Sequence, residues 1–188
     1  MKIYVTGLGV VSGIGLGVAE NIASLRKHQH GMGKVTLFPT ELDVPVSEVK
    51  YSNEELKRLL SLDIQKTFSR TALLGMLAAR EAVDDARLDL NTLRVGLISS
   101  TSVGGMDLSE HFYNAFKKDN RKGRLREVIS HDCGASTEMI ADYLKVNDFV
   151  TTISTACSSA ANAIMLGARM IRNGQLDAAI VGGTDALC

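Results

Sequence analysis

Apolar positions recur along the chain in two alternating patterns. Short β-branched runs suit strands, and stretches whose apolar residues step by three and four suit helices. Residues 2–11 form the first run, which breaks at Ser12-Gly13-Ile14-Gly15-Leu16-Gly17. That pattern predicts a buried strand, a glycine turn and a short helix through about Lys27. Residues 28–50 hold both prolines and no sustained period, so they read as irregular surface. Ser52-Asn53-Glu54-Glu55 has capping-box spacing and opens a short helix. Over residues 64–87 the apolar positions Phe68, Ala72, Met76, Ala79 and Val83 trace one face of a long helix.

Residues 94–101 read as a short buried strand that runs into Ser102-Val103-Gly104-Gly105. Asp107 and Glu110 mark the start of a helix reaching about Lys118, then a basic loop, then a helix over 136–144. Residues 149–155 are a strand, 160–172 a helix stopped by Asn173-Gly174, and 177–181 a last strand ending at Gly182-Gly183. Strands alternating with helices imply parallel strands and a layered α/β fold.

Composition narrows the picture. A chain of 188 residues is room for one ordinary domain, and folding at this size buries roughly 70% of the surface. Hydrophobic residues make up 45% and charged residues 22%, which excludes disorder and coiled coil. The net charge is zero, 21 basic against 21 acidic residues, so no global field draws the protein to nucleic acid or a membrane. Cys133, Cys157 and Cys188 contain no C-x-x-C pair, which argues against a disulfide framework or a structural zinc site. The apolar N-terminal run is too short for a signal peptide, and no stretch is apolar enough to span a bilayer. A cytoplasmic protein is expected.

The segment from Thr151 to Gly174 is the first that could carry chemistry. A strand turns into a helix there, and Cys157 sits at the turn among alanines and serines. The helix is apolar nearly all round, so burial in a domain centre is expected. Arg169 and Arg172 lie at its last turns, where they suit the negative end of the macrodipole. The positive end points at Cys157, and such a field favours a thiolate and supports an oxyanion. A free cysteine is ordinarily a small buried hydrophobe; at this turn, a nucleophile is an equal reading.

Other clusters carry weaker chemistry. Gly7-x-Gly9-x-x-Ser12 after a first strand is one glycine short of the dinucleotide fingerprint, and no acidic residue clearly ends a second strand at the required distance. Close packing of strand one against its helix accounts for it better than a Rossmann domain of an oxidoreductase. His28-x-His30 and His131-Asp132-Cys133 lack second pairs at ligand spacing, so no metal is expected. Lys117, Lys118, Arg121, Lys122, Arg124 and Arg126 form a basic cluster that reads first as a solvated loop.

Ser154-Thr155-Ala156-Cys157-Ser158-Ser159-Ala160 resembles the active-site cysteine motif of the β-ketoacyl synthases, the condensing enzymes of fatty-acid and polyketide synthesis. Further segments agree in order: Val5-Thr6-Gly7-Leu8-Gly9-Val10-Val11-Ser12, Phe68-Ser69-Arg70-Thr71-Ala72, Arg80-Glu81-Ala82, Val103-Gly104-Gly105 and Gly182-Gly183-Thr184-Asp185. The resemblance runs over nearly the whole chain, so residues 1–188 read as an N-terminal β-ketoacyl synthase domain. It implies a thiolase-like fold of two βαβαβαββ halves in an α-β-α-β-α arrangement, of which this chain is the N-terminal half, with a mixed, mostly parallel sheet.

The resemblance also implies a site. Cys157 would take an acyl group from a carrier thioester, and decarboxylation of a malonyl thioester would supply the second carbon nucleophile. Val103, Gly104, Gly105 and Cys133 would bind the acyl chain, in an apolar pocket bounded by Val103 and residues 131–135. Lys66, Arg121 and Lys122 would dock an acidic acyl carrier protein. A homodimer is implied, paired through the strand at about 149–153, and no cofactor. A non-catalytic ketosynthase-like partner is the other reading. The family's two catalytic histidines, its lysine and its second oxyanion amide belong to the C-terminal half. His28, His30, His111 and His131 lie in no such pattern, so a piece of a longer protein, inactive alone in condensation, is expected.

Overall fold

The computed structural model describes residues 2–187. Its centre is a parallel sheet of three strands, β5 (Val95–Ser100), β6 (Phe149–Ile153) and β7 (Ala178–Val181), in the order β6-β5-β7. Gly96 stands opposite Phe149 on one side, and Val95 opposite Ala178 on the other. All residues of the central strand β5 are buried, as a strand covered on both faces requires. Its alternation sorts two cores. Val95 and Leu97 face α3 (Arg70–Ala86) and α6 (Cys133–Leu144), while Ile98 faces Ala163 and Met170 of α7 (Ser159–Arg172).

The remaining elements wrap this layer. β1 (Val11–Ser12) and β2 (Gly15–Leu16) form a small antiparallel ladder before α1 (Val18–Arg26). β3 (Met32–Gly33) pairs with β4 (Val46–Ser47), and α2 (Asn53–Leu59) follows. The expected capping box is present: Glu55 N–H donates to Ser52 Oγ, and Ser52 N–H donates to Glu55 Oε2 at 2.7 Å. α4 (Met106–Lys118) and α5 (Leu125–Ile129) lie between β5 and α6.

Several expectations change. Residues 2–10 form no ladder among the described residues, and of the expected strand only Val11 is in one, together with Ser12 of the expected turn. Instead Leu8 N–H donates to Asp85 Oδ2 at 2.9 Å and Val10 N–H to Glu81 Oε2 at 3.0 Å, so carboxylates of α3 take the place of a neighbouring strand. Gly7 and Gly9 lie on the backbone of α3 so closely that a Cβ on either would overlap Ala82 O or Ala78 O. The glycine pattern is therefore a packing device, against α3 and not the helix that follows it. The long helix starts at Arg70, not 64, because Ser69 Oγ accepts from Ala72 N–H and caps it there.

The expected basic loop contains α5, and α6 begins at Cys133, where Asp132 Oδ1 accepts from Gly134 N–H. Finally, α7 is not buried all round. Ser159, Ala163, Gly167 and Met170 are buried, but Ile164 and Met165 are 54% and 44% exposed. One sheet covers one stripe of a helix, and the opposite stripe stays open.

Candidate active site

The carboxyl ends of the parallel strands β5, β6 and β7 face the same way, and the segments leaving them meet there. This is the side on which α/β sheets ordinarily place their sites. From β6 the chain passes through Ser154, Thr155 and Ala156 to Cys157 and then into α7. Ala156 has φ +53°, a left-handed conformation that costs a non-glycine residue about 1–2 kcal/mol.

Side chains of the first turn of α7 hold that conformation. Thr155 N–H donates to Ser159 Oγ at 2.7 Å, and Ser159 Oγ donates to Ala156 O at 2.6 Å. Ser158 Oγ donates to Thr155 O at 2.8 Å, and Asn162 Nδ2 to Thr155 Oγ1 at 2.8 Å. Ser159 is buried, whereas Cys157 stands exposed just ahead of the helix. The turn therefore presents the thiol outward at the positive end of the helix dipole. Sequence reasoning reached Cys157 but not Ser158, Ser159 and Asn162. Their signal was local: hydroxyl and amide side chains flanking a strand-to-helix turn.

From β5 the chain enters Thr101, Ser102 and the loop Val103-Gly104-Gly105. Gly104 has φ +56°, and a Cβ on it would lie 2.8 Å from His131 O; one on Gly105 would overlap Ser130 O. The two glycines thus let this loop sit on the segment before α6. Val103 and Cys133 are both half-buried, and Gly104 lies against the backbone of Cys133. Thr152 Oγ1 of β6 donates to Thr137 Oγ1 of α6 at 2.7 Å, tying that helix behind the strand that leads to Cys157. From β7, Gly183 lies against Ser100 and Ala160, and Asp185 reaches across to Thr101 and Ser102.

Two of the histidines have partners of their own. His131 Nδ1 pairs with Ser109 Oγ at 2.9 Å, and His111 Nδ1 with Glu127 Oε2 at 3.1 Å. Among the described residues none hydrogen-bonds to Cys157. Two open hollows lie elsewhere, one beside Gly13, Ser24 and His28, the other beside Leu59, Leu77 and Arg80. Cys188 lies outside the described residues.

The basic residues are spread out. Lys66 is exposed just before α3, whose first N–H, that of Arg70, donates to Asp107 Oδ2 at the start of α4 at 2.8 Å. Burial pushes the Asp107 carboxyl up from its ordinary range, against the lowering pull of that N–H. Arg121 and Lys122 follow the far end of α4, a helix about 20 Å long. Both are exposed and both pair with Asp119, at 3.2 and 3.8 Å.

Comparison with known proteins places this geometry. The family described as "Beta-ketoacyl synthase, N-terminal domain" matches residues 1–188. The chain is 28% identical to 3-oxoacyl-[acyl-carrier-protein] synthase 2 of Staphylococcus aureus (strain MRSA252), covering 99% of this chain and 46% of that protein. It is also 28% identical to nodulation protein E of Rhizobium sp. (strain N33), over 98% of this chain and 47% of the relative. Among solved structures, the ishigamide ketosynthase/chain length factor superposes with a TM-score of 0.85 at 28% identity, over 98% of this chain and 47% of that one. The chain spans about half the length of the relatives it matches.

Proposed function

This chain belongs to the β-ketoacyl synthase family, as its N-terminal domain, and we propose that Cys157 is the acyl-accepting nucleophile of a carrier-dependent condensing enzyme. The thiolate attacks the thioester carbonyl of an acyl carrier; the Cys157 S–acyl bond forms and the carrier thiolate leaves with the proton released from Cys157. A malonyl thioester then loses carbon dioxide, and its two-carbon enolate attacks the acyl-cysteine. The β-ketoacyl carrier thioester is released, and the Cys157 thiolate returns. The observation that supports this reading is the exposed Cys157 on a braced turn at the start of α7. A non-catalytic partner has no need of a nucleophile there.

In this reading Val103, Gly104, Gly105 and Cys133 line the acyl side of the site, and Lys66, Arg121 and Lys122 meet an acidic carrier protein. The general base and the second oxyanion donor come from sequence outside this chain. The open Ile164 and Met165 stripe of α7 suits a further layer, as a five-layer fold requires. β6 is an outer strand of its sheet, which suits pairing with a second protomer in a homodimer. Among the described residues no helix is long and apolar enough to cross a membrane, and we assign the enzyme to the cytoplasm.

Intact-mass measurement of the full-length protein after incubation with an acyl-carrier thioester tests the reading. The expected result is one acyl adduct that disappears in Cys157→Ala. An adduct that survives Cys157→Ala overturns it, as does no adduct on the wild type. The 188-residue chain alone should acylate slowly or not at all, because among the described residues no histidine hydrogen-bonds to the thiol.

A further inference from the structure

Thr101 is buried, and its hydroxyl holds a single proton. Asp185 Oδ1, a carboxylate oxygen that can only accept, lies 2.7 Å from Thr101 Oγ1 and takes that proton. Both lone pairs of the hydroxyl are then left for the loop. Gly104 N–H donates to Thr101 Oγ1 at 3.0 Å and Val103 N–H at 3.3 Å, while Ser102 N–H donates to Asp185 Oδ1 itself at 2.8 Å. Three successive backbone donors are thereby satisfied by two side chains. No other protein acceptor meets these N–H groups among the described residues, in a loop bent to φ +56° at Gly104.

The same loop is pressed on the backbone of Ser130, His131 and Cys133 through Gly104 and Gly105. Asp185 is brought there by β7. Thr184 N–H donates to Ser100 O at 2.9 Å, and Gly183 fits against Ser100 where a side chain would collide. The acid of the Gly-Gly-Thr-Asp segment thus has a defined target, 84 residues away in sequence.

We propose that Asp185, acting through the Thr101 hydroxyl, is a positioning residue that fixes the Val103 loop and thereby sets which acyl chain lengths the enzyme accepts. The proposal rests on the condensing-enzyme reading, in which the Val103 loop borders the acyl chain, and goes beyond it by assigning the residues that hold that loop. Asp185 acts on the loop through Thr101 Oγ1 and Ser102 N–H. It draws the one proton away from the loop, so that the lone pairs of the hydroxyl face the loop N–H groups. When the loop loosens, Val103 and the segment from Ser130 to Cys133 move relative to each other, and a length filter between them broadens.

The test uses the full-length protein with Thr101→Val, Thr101→Ser and Asp185→Ala. Two readouts are taken: the ratio of kcat/KM for a long and a short acyl-carrier thioester, and amide hydrogen exchange at residues 102–104. Valine keeps the shape and removes the hydroxyl, so exchange at Val103 and Gly104 should rise about tenfold, the scale of one lost hydrogen bond. The acyl-length ratio should shift by a similar factor. Thr101→Ser, which keeps the hydroxyl, should restore both. Asp185→Ala, at an exposed position, should speed exchange at Ser102 and shift the ratio in the same direction as valine. If Thr101→Val and Asp185→Ala leave ratio and exchange at wild-type values, the relay is wrong. If exchange changes while the ratio does not, the specificity role is wrong. A wild type that forms no acyl adduct on Cys157 overturns the condensing reading and the specificity role with it, and exchange still reports on the loop.

Discussion

Arg94 and Asp177 close the amino ends of β5 and β7 with a two-point ion pair, Nη2 to Oδ1 at 2.7 Å and Nε to Oδ2 at 3.0 Å. Arg94 N–H also donates to Asp177 Oδ2 at 2.9 Å, and Arg94 Nη1 to Gly174 O at 2.8 Å. On the other flank Asp148 Oδ2 accepts from Val95 N–H at 2.8 Å. The amino ends of the strands are stapled by carboxylates, and the candidate site lies at the opposite, carboxyl ends.

The Arg94 side chain and N–H draw the Asp177 carboxyl from an ordinary 3.8 down to about 2. A depressed carboxylate contributes stability above its unfolded pKa and loses it as pH falls through the folded one. Asp177→Asn should therefore lower Tm at pH 7, and its deficit should shrink between pH 3.8 and about 2. Both side chains are solvent-exposed, so the effect is small and should weaken further in high salt. Melts of wild type and variant across that range, at low and high salt, check the sign.

Glu48 is the stronger case. Burial opposes its charge, but the Lys50 ammonium, the Thr36 hydroxyl and the N–H groups of Leu37 and Thr36 outweigh it and bring the carboxyl to about 2. Its side chain is only 3% exposed and pairs with Lys50 at one end of a loop that has little other regular structure. Glu48→Gln should cost about 1.5–3 kcal/mol at pH 7, the range for hydrogen bonds to a buried charge. That cost should fade as pH drops from 4.5 toward 2. Denaturant titration at pH 7 and near pH 2 measures it; an equal deficit at both would contradict the assignment.

Ser159→Ala removes the acceptor of Thr155 N–H and the donor to Ala156 O in one step. The turn then keeps its left-handed Ala156 with less to hold it. Thr155 and Ala156 are exposed, so we expect a loss of about 0.5–1.5 kcal/mol, the net worth of a hydrogen bond whose partners can turn to water. The rate of Cys157 alkylation by iodoacetamide should change as well. Thermal melts read the first effect, and timed mass spectrometry the second.

Arg121 and Lys122 share the single carboxylate of Asp119. If they meet an acidic carrier, Arg121→Glu with Lys122→Glu should raise KM for the carrier-bound substrate several-fold and leave kcat nearly unchanged. Rim charges act mainly on encounter. The wild-type preference should also weaken as salt rises. Steady-state kinetics with the carrier thioester and with a small acyl thioester separate docking from chemistry. The small substrate should be indifferent to the change.

Much of this was legible along the chain. Ser52 and Glu55 close their box within a single turn, and the β-branched runs at β5, β6 and β7 match a sheet covered by helices. Cys157 falls at a strand-to-helix turn for the same local reason. These features depend on neighbours within a few residues, which periodicity and capping rules can see. The rest required partners distant in sequence. Residues 2–10 have the composition of a strand, but a strand exists only where a ladder partner stands beside it, and here Glu81 and Asp85 of α3 receive the N–H groups. Gly105 is glycine because Ser130 lies against it, and Asp185 is acidic toward Thr101 across 84 residues. Local propensity carries no information on which distant groups will be brought together. Packing of α6 and α7 on opposite faces of β5 decided that, and with it the arrangement of the loops around Cys157.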